Sequence, residues 1–337
     1  MPSSTTLSLC FPAQEWHLSA QHYLKLIAAS SQQNALISPA LSGGTSGIAF
    51  VIQQFSQQGQ RYQRTLAHLH QSLAEQISKR AYHQKPLEAG NAEIDFGVIT
   101  GASGILSYLV SIPSPEPFVQ QMLYTLLQYL YALTEPEQPP GQERWFCPPS
   151  LLSERDRLRY PYGCFNCGIA GPLAALSLAS LTGYDHPGLR ESLVSTSTWL
   201  IHHHLSDKWG ITWPTVIPYE SASSPDQWHA LPASRTAWCY GALGIARALW
   251  FAGRAINDPH LMDVALTALK AVLHRPFSAR HIDAPTLCHG HAGLLQICLR
   301  FAHESQDPLA VVGKIEPGDK MSQNCHRNGL AFFPCLL

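Results

Sequence analysis

Hydrophobic and polar positions alternate along this chain between two helical textures. Mainly apolar runs, such as IAFVIQQF after Gly47 and IARALWFAGRA after Gly244, are each followed by a longer run with one apolar stripe. YQRTLAHLHQSLAEQISKR gathers its charges on one side. PHLMDVALTALKAVLHR places Leu261, Val264, Ala265, Ala268 and Val272 on one face. A helix that is apolar around most of its circumference needs cover on several sides, and a striped helix supplies cover from one. The pattern therefore predicts an inner ring of helices sheathed by an outer ring, an all-α toroid.

The apolar runs share an opening. Five segments carry two glycines three residues apart, followed by an apolar stretch: Gly44/Gly47, Gly101/Gly104, Gly168/Gly171, Gly241/Gly244 and Gly290/Gly293. The first glycines are separated by 57, 67, 73 and 49 residues. Five pairs with one sequel indicate an internal repeat, each unit being a loop, an apolar helix, a polar turn and an amphipathic helix. Small residues where a helix starts let neighbouring backbones approach and leave the first amides pointing into shared space. Loops are expected from Glu135 to Arg157 and from Pro218 to Arg235, where Pro, Gly and charge cluster, and the first leaves room for an insertion over one mouth of the ring. Because the repeat resumes after each, the chain reads as one domain over 1–337, with 303–337 atypical. Strand signals are sparse; HHHLSDKWGITWPTVIPY is the stretch expected to hold a short extended segment.

Composition narrows the function. The chain has 337 residues, 45% hydrophobic and 13% charged, the latter about half the usual share, which is consistent with much of it being buried. A formal net charge of −1 gives no electrostatic case for nucleic acid or an anionic membrane. No apolar run reaches the roughly 18 residues of a membrane span. The N-terminal residues lack a basic stretch and a long apolar one, so a cytoplasmic protein without a secretory signal is expected. Nine cysteines, an odd and uneven set, favour metal or reactive thiols over a disulfide framework.

Two of those cysteines share a register. Cys239 in WCYGALG and Cys288 in LCHGHAG each precede a glycine pair by two residues, and His289 follows Cys288. Equivalent positions in neighbouring repeats put these side chains at one height, facing one end of the ring. Two thiolates and an imidazole suit Zn²⁺, with a fourth position open for water or substrate. The spacing alone leaves a second reading open, in which the cysteines are small core residues.

The segments Arg235-Thr-Ala-Trp-Cys-Tyr-Gly241 and Thr286-Leu-Cys-His-Gly-His-Ala-Gly-Leu-Leu-Gln296 resemble the two signatures of LanC-type lanthipeptide cyclases. The similarity runs through the glycine repeats from about Leu41 to Phe301. It implies an α/α toroid and a catalytic zinc held by Cys239, Cys288 and His289. It also implies a reaction in which a cysteine thiol of a dehydrated precursor peptide adds to dehydroalanine or dehydrobutyrine, forming a thioether ring. A lanthipeptide dehydratase and a transporter are the partners that come with such an enzyme. Arg235 matches an arginine of the signature and is expected either to stabilise a substrate carbonyl or enolate or to make a structural pairing at the ring mouth. Trp238 and Tyr240 read as packing groups. His291 reads as an exposed loop residue or, alternatively, a partner or proton donor beside the metal.

Three places depart from the family pattern. The third repeat usually reads Asn-x-Gly-x-Ala-His-Gly-x-x-Gly-Pro, its histidine serving as acid/base. Here Asn166-Cys167-Gly168-Ile169-Ala170-Gly171-Pro172 is shorter by four residues and has no histidine; Cys167 could be taken as its replacement, but aligning Asn166-Cys167-Gly168 with the family's Asn-x-Gly is simpler. The second repeat usually carries Asp before Val-Ile-x-Gly, where this chain has Gly97; Asp95 lies two residues too early to take the role. After Ala302 no further glycine pair follows, and Cys325-His326 reads as a chance pair. The expected activity is thus a zinc-dependent cyclase with impaired acid/base groups, or else a non-catalytic zinc-binding scaffold for the precursor peptide or its biosynthetic partners. A toroidal glycosidase would need paired carboxylates at the ring mouth, and a prenyltransferase-like zinc site would want an Asp ligand; neither register is visible.

Overall fold

In the computed structural model, which describes residues 38–56, 61–80, 82, 89–136, 143–222, 224–239 and 241–305 with a few positions between 18 and 27, every glycine pair lies at the start of a helix. The inner helices are α1 (Thr45–Phe55), α3 (Ala102–Leu109), α5 (Ala170–Leu181), α7 (Ala242–Ile256) and α9 (His291–Glu304). The outer helices are α2 (Gln63–Lys79), α4 (Pro117–Leu133), α6 (Leu189–His202) and α8 (Pro259–His274). The Cys325-His326 pair and the rest of the atypical tail beyond 305 fall outside the described residues.

Burial separates the two rings as the pattern predicts. All of α3 is buried, and so is α5 from Ala170 to Ala179. On α2 only Leu66, Leu69, His70, Leu73, Gln76 and Ile77 are buried, a stripe at helical spacing. On α8, Leu261, Ala265, Ala268 and Val272 are buried as expected, with Val264 packed at the edge of the core. The inner helices touch in chain order, α1 with α3, α3 with α5, α5 with α7 and α7 with α9, and each outer helix packs on the inner helix of its own unit. That is an α/α toroid. One buried apolar cluster runs from Ala49 to Ala302.

Four of the five inner helices begin identically. Gly44, Gly101, Gly241 and Gly290 are the capping residues of α1, α3, α7 and α9, and none is replaced by a side-chain cap. The loop before each folds over the helix's own first turn. A Cβ on Gly47, Gly104, Gly244 or Gly293 would collide with the backbone carbonyl six residues earlier, of Leu41, Val98, Trp238 and Leu287 respectively. The glycine pair is therefore a steric requirement of this overfolded loop.

The third unit lacks that loop. The chain enters α5 from a strand through a 3-10 turn at Cys167–Ile169, capped by Asn166, whose Oδ1 accepts the Gly168 amide at 2.7 Å. The shorter third repeat is thus accommodated by exchanging a loop for a strand. The strands are β1 (Phe146–Cys147), β2 (Cys164–Asn166), β3 (Leu205–Asp207), β4 (Gly210–Thr212) and β5 (Val216–Pro218). They form an antiparallel sheet in the order β1-β2-β5 and a β3-β4 hairpin. Cys147 lies opposite Cys164 and Phe165 opposite Ile217. The stretch marked as extended in the sequence holds β3 to β5, its two prolines falling at and just before β5. The Glu135–Arg157 loop contributes β1, which ties to the second unit: Asn91 donates from its amide to the Phe146 carbonyl (2.7 Å) and from Nδ2 to the Arg144 carbonyl (2.8 Å).

Candidate metal centre

The loop ahead of α7 doubles back between Thr236 and Gly241 as an isolated antiparallel bridge, with Cys239 inside the bend. Thr236 anchors it, its amide and its hydroxyl both donating to the Arg280 carbonyl at 3.0 Å. The loop ahead of α9 folds over in the same way, held by the His291 amide on the Ala284 carbonyl at 2.9 Å. The Cys239 amide donates to the Cys288 carbonyl at 3.2 Å, joining the two loops at their shared register. As a result the ligand atoms of Cys239, Cys288 and His289 lie within 4.8 Å of one another, each on a half-buried residue. Among the described residues this is the one such cluster of three or more, and no disulfide joins the described cysteines.

Spacings of this size are what a tetrahedral ion with bonds of about 2.0 to 2.3 Å needs from three of its ligands after small side-chain adjustment. The donors are two soft sulfurs and one nitrogen, presented by backbone loops that glycines hold close. Partial exposure leaves a face open to an incoming group.

Cys239 also lines a cleft between the inner helices, together with Trp238, Gly241, Glu93, Cys167 and Gly168. Burial pushes the Cys167 thiol up to about 12, so near neutral pH it stays protonated and is a poor acid. Asp95 is not among the cleft's lining residues. Burial raises its carboxyl, and the charge of Arg80 opposes the shift.

Arg235 is exposed, and among the described residues no carboxylate pairs with it. Its carbonyl packs over Gly241. His291 is the first residue of α9, half-buried and stacked on Phe277 with ring centroids 4.6 Å apart; it is not part of the cysteine–histidine cluster. Trp238 packs against the core and lines the cleft, while Tyr240 lies outside the described residues. Glu93 and Arg247 also line the cleft and were not singled out from the sequence. The available signal for Glu93 was its place one helical turn before Gly97, where the family's Asp is missing.

The sequence model described as lanthionine synthetase C-like protein matches residues 5–332. Nisin biosynthesis protein NisC of Lactococcus lactis subsp. lactis is 25% identical over 288 residues, covering 83% of this chain and 66% of that protein, just under two thirds of its length. The solved structure of a nisin cyclase superposes with a TM-score of 0.72 at 22% identity, covering 90% of this chain and 76% of that one, and carries the same fold. With the toroid, the glycine loops and the two signature motifs in register, the chain belongs to the lanthionine synthetase C-like family.

Proposed function

We propose that this protein is a zinc-dependent lanthipeptide cyclase, acting as a single domain on a dehydrated precursor peptide. The observation that carries the proposal is the convergence of Cys239, Cys288 and His289 within 4.8 Å beside an open cleft. Zinc bound there would accept a cysteine sulfur of the peptide and favour its thiolate, the nucleophilic form of a group whose ordinary pKa is roughly 8.5. The remaining work belongs to the chain. The cleft walls hold the peptide segment so that sulfur and alkene meet in attack geometry. Arg235, exposed and without a carboxylate partner among the described residues, offers guanidinium donors to a carbonyl that becomes an enolate as the carbon–sulfur bond forms. Overfolded loops keep Cys239 and Cys288 fixed, so little reorganisation accompanies ligand exchange. A dehydratase upstream and a transporter downstream, all meeting in the cytoplasm, complete the proposed setting.

A second reading, a zinc-binding scaffold without activity, is favoured by one observation. Gly97 and the shortened third repeat carry no side chain where the family places its Asp and His. The test is ring closure on a dehydrated model peptide, read by mass after thiol alkylation. Protection of the peptide cysteine, lost on chelation, is the cyclase result. Full alkylation by a folded, zinc-loaded protein would leave the scaffold.

A further inference from the structure

Glycine at position 97 makes room for another residue. Glu93 opens the four-residue helix Glu93–Phe96, whose carbonyl accepts the Gly97 amide at 2.7 Å. Its side chain turns back over that helix's end. A Cβ built on Gly97 would collide with Oε1 of Glu93 and come within 2.9 Å of its Cδ. A Cβ on Gly168 would lie 3.2 Å from its Cγ. The Glu93 side chain therefore occupies the space between two glycines, one of them standing where the family has Asp. The preceding turn is fixed by the two Asn91 bonds to residues 144 and 146.

Glu93 lines the same cleft as Cys239, and it is the one carboxylate among the described residues that does. It does not belong to the cysteine–histidine cluster, so it faces the cleft without being a further ligand in reach of all three donors. The other titratable groups lining the cleft are Cys167, a buried thiol, Cys239, a ligand candidate, and Arg247, which pairs with Glu304.

We propose that Glu93, four positions before the Gly97 that stands where the family has Asp, is the proton carrier of ring closure in this chain and does the acid/base work of the histidine that the third repeat lacks. The inference rests on the cyclase reading given above. In the step assigned to it, the cysteine thiol loses its proton to the Glu93 carboxylate as sulfur bonds to Cβ of the dehydro residue. The alkene electrons move towards the carbonyl as an enolate, and Glu93 returns the proton to Cα. One carbon–sulfur and one carbon–hydrogen bond form, one S–H bond and one π bond are lost, and the glutamate ends as it began.

The experiment measures single-turnover ring closure by zinc-loaded wild type, Glu93→Gln and Glu93→Ala, with zinc content and thermal midpoint determined for each. The expected result is a loss of roughly 10²–10⁴-fold in both variants at unchanged zinc and midpoint. In the double variant Glu93→Ala with Gly97→Asp, the carboxylate returns to the vacated space and at least tenfold of the loss should be recovered. Gly97→Asp alone should slow the reaction, since the two side chains compete for one volume. A wild-type rate in Glu93→Gln would overturn the role of Glu93 and leave the cyclase reading standing. No ring closure by zinc-loaded wild type would overturn both.

Discussion

The amide of Cys239 donates to the carbonyl of Cys288 at 3.2 Å, and the amide of Ser42 donates to the carbonyl of Ile99 at 3.0 Å. All four residues stand two positions before the first glycine of a pair. The metal-type cluster is therefore an ordinary junction between adjacent repeats, differing from the first junction in its side chains more than in its backbone. A junction that forms whether or not it carries ligands is pre-organised, and removing the ligands should leave it intact.

Replacing Cys239 and Cys288 together with Ala should accordingly reduce bound zinc from stoichiometric to background while the apo midpoint stays within a few degrees of apo wild type. Metal analysis by mass spectrometry with a thermal melt checks both halves. Stoichiometric zinc in the double variant would remove these residues from the metal site.

The glycine loops make an independent prediction. In Gly244→Ala the new methyl meets the Trp238 carbonyl, and the loop that carries Cys239 must move to relieve it. The expected cost is about 1–3 kcal/mol in denaturant unfolding, together with weaker zinc binding. Gly171→Ala meets mainly the Cγ2 of Val98, a side chain able to yield, so a smaller loss with unchanged zinc affinity is expected. Equal effects in both variants would mean that the overfolded loop does not hold the ligand.

These loops also explain what could be read from the sequence. Glycine pairs and helical stripes reported the toroid because each reflects a local constraint, a backbone contact six residues long or a buried face. The convergence of Cys239, Cys288 and His289 was legible because the repeat register converts sequence offset into spatial height. Glu93 was not, because its approach to the cleft depends on side chains that are absent at Gly97 and Gly168 and on anchorage by residues 144 and 146, more than fifty positions away. The strand entry to α5 was hidden for a similar reason, since its pairing partner β5 comes fifty residues later in the chain.

The C-terminal end of α9 is held by a buried charge cluster that the periodicity did not mark. Glu304 accepts from Arg247 Nη1 at 3.0 Å and Nη2 at 2.5 Å, from Trp250 Nε1 at 2.9 Å and from Arg254 at 3.2 Å. Burial works to raise its carboxyl, but the Arg247 bonds and charge outweigh it and hold it below the usual carboxylate range. Glu304→Gln leaves the Arg247 guanidinium buried without its counter-charge and should cost about 3–5 kcal/mol. Because the folded-state pKa is depressed, the wild-type contribution is present above the unfolded value of roughly 4.3 and fades as pH falls through the lower folded value. Denaturant midpoints measured from pH 6 to pH 3 should therefore converge for wild type and Glu304→Gln at the acid end. A constant gap across that range would assign the cost of the variant to packing.

Arg235 is the residue for which structure and chemistry make opposite forecasts. As a structural tie it should have a partner, yet it is exposed and no described carboxylate pairs with it. As a donor to a developing enolate, it should be silent until substrate is present. Arg235→Gln should then leave thermal midpoint and zinc content unchanged while slowing ring closure by roughly 10²–10³-fold, the usual range for losing one positioned donor. Arg235→Lys, which keeps the charge but loses the planar fork, should fall between the two. Single-turnover rates alongside melting curves separate the cases. A drop in midpoint of several degrees with a proportionate loss of zinc would instead make Arg235 part of the scaffold that positions Cys239.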